Sequence, residues 1–411
     1  MTFISFLLSL ILANNLQASD ALWEQFLAKD QKVQNAIHQK NKTDFQIKEV
    51  RASFMPNISL DYTLNASKTV FVTGSTQLEF ENRIHSAAVS LRQPIYLGGR
   101  LFASLRYAKL QKQIEDNKVL IAKIEAKREF IALISTIYSL REKLKLQKES
   151  LSFQERFSKV MRKKQRIGNA RLYELDKALS DLLSRQSIVK QLETQLDTAE
   201  NDLKSRLETN TLESIRLPDT KVDTNASFEN LMKNNPSINN ILLGLESLKE
   251  SHTVSNSEDN LQVSLSANKG IQDDKLGDLP EGDESYSIVL AASLPLFSGL
   301  SSLHKKDAQN SEVKSFENQK KDLMDRLKTQ FTATKSLLKT NQLLLEFSSR
   351  QMKLAKKAFE KGNKSYKNGQ IKFFELLQLQ QGYELSVNNN VDLLTQTATA
   401  KNDYLGLLGR L

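Results

Sequence analysis

Residues able to make and break bonds are few in this chain, and they are not grouped. It contains no cysteine, which removes a thiolate nucleophile, zinc–thiolate and iron–sulfur ligation, disulfides and lipid attachment through sulfur. The four histidines, His38, His85, His252 and His304, are scattered and leave little material for a metal centre or an acid–base pair. No glycine-rich phosphate loop, paired-carboxylate site or nucleophile constellation stands out, so no active site, metal or cofactor is expected. What does recur is a glycine followed by a carboxylate. Ile167-Gly168-(x)5-Glu174-Leu175 returns 201 residues on as Asn368-Gly369-(x)5-Glu375-Leu376. Glycine supplies the left-handed backbone of a tight helix–helix turn.

Such turns need long elements on either side, and the composition supplies them. Only six prolines and 14 glycines interrupt 411 residues. Gly99 to Gly168 and Gly299 to Gly362 enclose stretches with neither residue, rich in good helix formers. A helix of that size is about 100 Å long, which implies coiled-coil or helical-barrel packing. Leu175, Leu182, Val189, Leu196 and Leu203 recur every seven residues, with Ala178, Leu192 and Ala199 at the complementary seam. The long helices are predicted at about 99–166, 170–208, 299–366 and 371–409.

Two pairs of segments change period. Ile58, Leu60, Tyr62 and Leu64 alternate with polar residues, and Ala87, Val89 and Leu91 lead up to Pro94. Leu261, Val263, Leu265 and Ala267 alternate in the same way, and Tyr286, Ile288 and Leu290 lead up to Pro295. Period-two alternation over about 9–11 residues fits a half-buried strand, and that length suits a soluble hairpin or a membrane-spanning one. The strands are predicted at about 57–66, 85–95, 260–269 and 285–296, with Lys68–Asn82 and Gly270–Glu284 as polar loops. Tyr96 and Phe297 would suit an interfacial aromatic belt.

The chain repeats itself. At an offset of 201, Gln93-Pro94-Ile95-Tyr96-Leu97-Gly98 matches Leu294-Pro295-Leu296-Phe297-Ser298-Gly299. Leu192/Leu393, Thr198/Thr399, Ala199/Ala400 and Asp202/Asp403 are identical pairs at the same offset. Near an offset of 205, Trp23-x-x-Phe26-Leu27 faces Phe228-x-x-Leu231-Met232. The division is therefore a signal peptide over 1–18, a first repeat over 19–217 and a second over 218–411. The apolar run Phe3–Ala13 is too short to span a membrane as a helix, and Ala18 is a plausible cleavage point.

This double unit resembles the TolC-like outer membrane efflux proteins. The resemblance rests on the two Pro–Gly junctions, the two Gly-x5-Glu-Leu turns and the closing Ala400-x-x-x-Tyr404-x-x-Leu407-Leu408-Gly409. It implies a mainly α fold in which tandem long helical hairpins build a trimeric α-barrel. Four strands per chain would contribute to a 12-stranded outer-membrane β-barrel. Four strands cannot close alone, and open edges are not tolerated in lipid. The implied role is the exit duct of a tripartite efflux pump or type I secretion system. A periplasmic adaptor and an inner-membrane transporter would be its partners, outer-membrane lipid its surroundings and homotrimer its state.

The same resemblance assigns roles to single residues. Gly168, Asn169, Gly369 and Gln370 fall at the periplasmic tip where an adaptor docks. Glu375 falls on an acidic gate ring and Gln378 on the next acidic position. Tyr366 matches a gate-linked tyrosine, Glu174 is the first-repeat counterpart of Glu375, and Ile371 stands where an arginine can occur. Pro94, Gly98, Gly99, Pro295 and Gly299 form the strand-to-helix junctions. Plain helix caps and an ordinary surface glutamate are the alternatives at the tip. The net charge of +10 is spread along helices with interleaved acids, without the basic stripe that nucleic acid requires. A secreted or periplasmic coiled-coil adaptor or scaffold without a pore would explain the helices, but not strand pairs at equivalent places in two repeats.

Overall fold

The computed structural model describes residues 21–410 except 74, 75, 210, 211, 213, 214, 216, 218–221, 223 and 277, and leaves the side chains of 71–80 undescribed. The segment 1–18 and the boundary residue Pro218 lie outside the described residues. The elements run α1 (residues 21–29), α2 (Gln31–Ala52), β1 (Asn57–Thr73), β2 (Thr76–Leu97), α3 (Arg100–Arg166) and α4 (Leu172–Leu207). They continue with α5 (Phe228–Asn234), α6 (Pro236–Asn256), β3 (Gln262–Asp273), β4 (Asp283–Ser293), α7 (Ser301–Lys367) and α8 (Phe373–Leu407). The long helices match across the repeat: α3 and α7 each have 67 residues. No described helix is long and apolar enough to cross a membrane.

Two compact units cut across the tandem order. The first combines residues up to Ile37, Lys118–Ile238 and Leu323 onward. It has two cores made from equivalent positions. One buries Phe26, Val33, Ala126, Phe130, Ile137, Leu203 and Leu207. The other buries Leu231, Ile238, Leu327, Phe331, Leu338, Tyr404 and Leu408. Each residue of the first set pairs with one of the second at an offset of 205 for the first two positions and 201 for the rest. A third core, where α3 ends and α8 begins, contains Phe157, Met161, Ala178, Phe373, Leu376 and Leu377. Gly362 lies inside α7 rather than ending it. A Cβ there would come within 2.4 Å of Leu379 Cδ1, so glycine lets α7 and α8 approach closely.

The second unit, His38–Asn117 with Asn239–Asp322, contains the sheet. Its order is β1-β2-β3-β4, antiparallel throughout. The register separates two faces. Ile58, Leu91, Ala267 and Ile288 form one cross-strand row, and the adjacent row is Ser59, Ser90, Asn268 and Ser287. Apolar side chains thus lie on one face and hydroxyl and amide groups on the other. The strands outrun the sequence alternation. Segment 68–82, expected as a polar loop, is ladder as far as Thr73↔Thr76. Its Thr69, Val70, Phe71, Val72, Leu78 and Phe80 are β-branched, aromatic or apolar, and cross-strand pairing outweighs the flanking charges. Segment 270–284 is shortened as a loop from both ends, since pairing reaches Gln272↔Asp283. The last strand stops at Ser293, so Pro295 lies beyond it.

Candidate functional site

Both glycine turns close with the same hydrogen bonds. At the end of α3 the Asn169 N–H donates to Lys164 O at 2.8 Å and the Gly168 N–H to Gln165 O at 3.0 Å. At the end of α7 the Gln370 N–H donates to Ser365 O at 2.9 Å and the Gly369 N–H to Tyr366 O at 3.0 Å. These are Schellman caps, which require a left-handed residue at the glycine. Gly168 has φ +77° and Gly369 φ +74°. A Cβ on either would meet nothing within 4 Å, so the demand is conformational rather than steric.

The carboxylates after the turns are used differently. Glu174 accepts the Arg171 backbone N–H at 3.0 Å, tying down the start of α4. Glu375 and Gln378 are exposed and one helical turn apart on α8, so they share a face. The position of Glu375 in the first turn of α8 also suits the helix dipole.

Tyr366 is not brought to Glu375 by any described contact. Its ring lies under Lys164 Nζ at 4.7 Å and beside Phe157 at 5.6 Å, and its hydroxyl is 3.6 Å from Met161 Sδ. Phe157 also stacks on Phe373 with centroids 4.8 Å apart. Ile371 packs on the same cluster, which accounts for an apolar residue at that position. Lys164, Phe157 and Met161 thus join α3 to the second turn. Sequence inspection did not single them out, because Lys164 sits in a run of basic residues and Phe157 is one of many apolar helix positions.

Behind this cluster lies a buried polar group. Arg185 on α4 pairs with Glu384 on α8 at 2.8 Å, with both side chains nearly enclosed. Ser150 on α3 donates to Glu384 and accepts from Arg185 Nη1 at 2.8 Å and from Gln380 Nε2 at 2.6 Å.

In the sheet-bearing unit the two Pro–Gly junctions differ. Pro94 sits at a register shift in β2, where its missing N–H costs no ladder bond. Gly98, at φ +60°, lies so close to Ser257 that a Cβ would be 2.3 Å from its carbonyl oxygen, and Asn260 Nδ2 donates to Gly98 O at 3.1 Å. Gly99 is also left-handed. Gly299, at φ +63°, has no such neighbour, and Pro295 is exposed. Tyr96 and Phe297 are 45% and 82% exposed, free to contact a surrounding medium.

Residues 22–207, the first repeat, match the profile of the outer membrane efflux protein family. Its turn, junction and core positions recur throughout the second repeat. The first half of the chain thus resembles the outer membrane efflux protein family. Its fold is that of solved outer membrane channels. The Campylobacter jejuni CmeC outer membrane channel superposes with a TM-score of 0.84 at 15% identity, covering 95% of this chain and 85% of that one. The outer membrane protein VceC of Vibrio cholerae gives 0.81 at 14% identity, over 95% and 96% of the two chains. The open state of the Neisseria gonorrhoeae MtrE outer membrane channel gives 0.73 at 15%, over 95% and 88%. No curated protein sequence matches the chain. Two of these neighbours are outer membrane channels and the third is an outer membrane protein.

Proposed function

We propose that three copies of this chain assemble into the outer membrane exit duct of an efflux pump. The observation that carries this reading is the four-stranded sheet, with one apolar and one polar face and with β1 and β4 unpaired on their outer sides. Leu60, Tyr286 and Ile288 are 77%, 86% and 74% exposed on the apolar face. In water such a surface is a liability; against lipid it is stabilising. Pairing β4 of one copy with β1 of the next gives twelve strands in three copies, which removes both edges and directs the serine- and asparagine-rich face inward.

The two glycine turns are the docking points for a periplasmic adaptor, through Gly168, Asn169, Gly369 and Gln370. An inner-membrane transporter completes the pump. Glu375, exposed and without a described ion pair, forms a three-fold acidic ring that favours cations, with Gln378 as a neutral second ring. Glu174, the first-repeat candidate for the gate, also caps the start of α4. Electron microscopy of the detergent-purified protein, with its particle mass, tests the assembly. Three-fold particles with a central channel are expected. A water-soluble monomer or dimer without a channel would refute it, and the repeats would then belong to a coiled-coil scaffold.

A further inference from the structure

A cavity of about 60 Å³ opens beside the buried Arg185–Glu384 group, walled by α3, α7 and α8. Three of its walls are aromatic. The Phe359 and Tyr383 rings lie nearly parallel with centroids 6.0 Å apart, and Phe153 meets Phe359 edge-on at 5.4 Å. The polar walls are all acceptors or already engaged. Gln380 is only 2% exposed. Its amide nitrogen donates to Ser150 and, at 3.0 Å, to Glu384, an orientation fixed because an ionised carboxylate can only accept. The amide oxygen is left buried with no partner. A buried acceptor without a donor is costly, so a donor in the cavity would be stabilised there.

The charge balance says which donor. Arg185 is neutralised by Glu384. Lys148, next to Glu149 in the chain, is held 2.8 Å from Glu193 on α4. Glu149 lines the cavity mouth, is exposed and enters no described ion pair. Its charge and that of Glu360 reach Tyr383, whose hydroxyl is pushed up from its ordinary pKa, first by burial and then by these two carboxylates. The cavity is therefore lined by aromatic rings, a carboxylate that enters no described ion pair and an unsatisfied acceptor, with no free cation among the described residues lining it.

We propose that this cavity binds a small organic ammonium ion, with the Phe359 and Tyr383 rings as its π wall, Glu149 as counter-charge and the Gln380 oxygen as hydrogen-bond acceptor. Ring faces and a carboxylate together select a cation over a neutral molecule of equal size. The volume admits a methylammonium-sized group, such as the amine end of a larger compound, and not a drug-sized molecule. The site is formed within one chain and does not depend on the duct reading.

Saturation-transfer NMR on the methyl signal of methylammonium, with the full-length protein in detergent and empty micelles as blank, tests it. Transfer is expected from the native protein, weakened about fivefold or more by Glu149→Gln and by Phe359→Leu and retained in Glu149→Asp. Glu346→Gln, on α7 and about 20 Å along that helix from Phe359, should leave it unchanged. Absence of transfer, or equal transfer from all variants, would overturn the proposal and leave a water-filled void. Methanol competing as well as methylammonium would overturn the cation assignment. Far-ultraviolet circular dichroism of each variant confirms that a lost signal is not lost fold.

Discussion

The two helical turns share a backbone and differ in almost everything attached to it. Each ends in a Schellman cap at a glycine near φ +75°, and each is followed by a glutamate at the same place in the next helix. Around the first turn, Leu172 is 63% exposed and Glu174 is spent on the backbone; around the second, Phe373, the counterpart of Leu172, is 7% exposed within an aromatic cluster. The first turn thus adds a carboxylate cap to its Schellman cap, and the second adds an aromatic cluster packed across to α3. The Arg185–Glu384 pair has no repeat counterpart either, since 201 residues away stand Ser386 and Leu183. Duplication preserved the conformational requirement at each turn, and divergence reassigned the surroundings.

The sharpest way to break this comparison is truncation at equivalent positions. Phe373→Ala should cost about 3–5 kcal/mol and Leu172→Ala under about 1 kcal/mol, measured by thermal or denaturant unfolding. A comparable loss at Leu172 would mean that it is covered in the assembled protein. Arg185→Leu should cost about 3–5 kcal/mol by stranding the Glu384 charge, and Arg185→Leu with Glu384→Leu should recover most of it.

Substitution of the glycines tests the shared part. Gly168→Ala and Gly369→Ala should each cost about 1–2 kcal/mol, and equally, because neither Cβ meets a neighbour. Unequal costs would show that the caps are not equivalent. The glutamates should then diverge. Glu174→Gln should lower stability by about 0.5–1 kcal/mol without changing ion preference. Glu375→Gln should leave stability nearly unchanged and reduce cation preference in planar bilayers.

The smallest effect concerns a pair found only in the first repeat. Glu129 has its carboxyl held below the ordinary range, chiefly by its hydrogen bond from Arg206 and also by Lys32. The second-repeat counterparts are Gln330 and Leu407, which form no ion pair. A depressed folded pKa gives stability that is present above the unfolded value near 4.5 and lost as pH falls through the folded value. Glu129→Gln should flatten that acid limb by less than about 1 kcal/mol, since both side chains are partly exposed. Melting temperatures across pH 3–7 check it.

Elements governed by local chemistry were legible in the sequence. Absence of proline and glycine marks α3 and α7, and the two glycines mark their ends. Period-two alternation locates the middle of each strand. The extension of β1 and β2 through 68–82 was not legible, because Lys68, Glu79 and Glu81 resemble a solvated loop until cross-strand pairing is known. The tip cluster was legible only in part. Tyr366 and Glu375 share a motif, but the contacts of Tyr366 are with Lys164 and Met161, about 200 residues away in the chain. Long-range partners such as Arg185 and Glu384 carry no local signature, as each is one charge among many on a charged helix.

The exposed outer strand makes folding a matter of timing. All eleven residues of β4 are open to their surroundings within one chain, with a full row of backbone donors and acceptors on its free side. Until another strand arrives, any extended polypeptide can add there, and the newly made chain competes between its proper neighbour and aggregation. In the proposed trimer the yield of functional protein is therefore set by how quickly copies meet, and its apparent stability rises with the number of chains present.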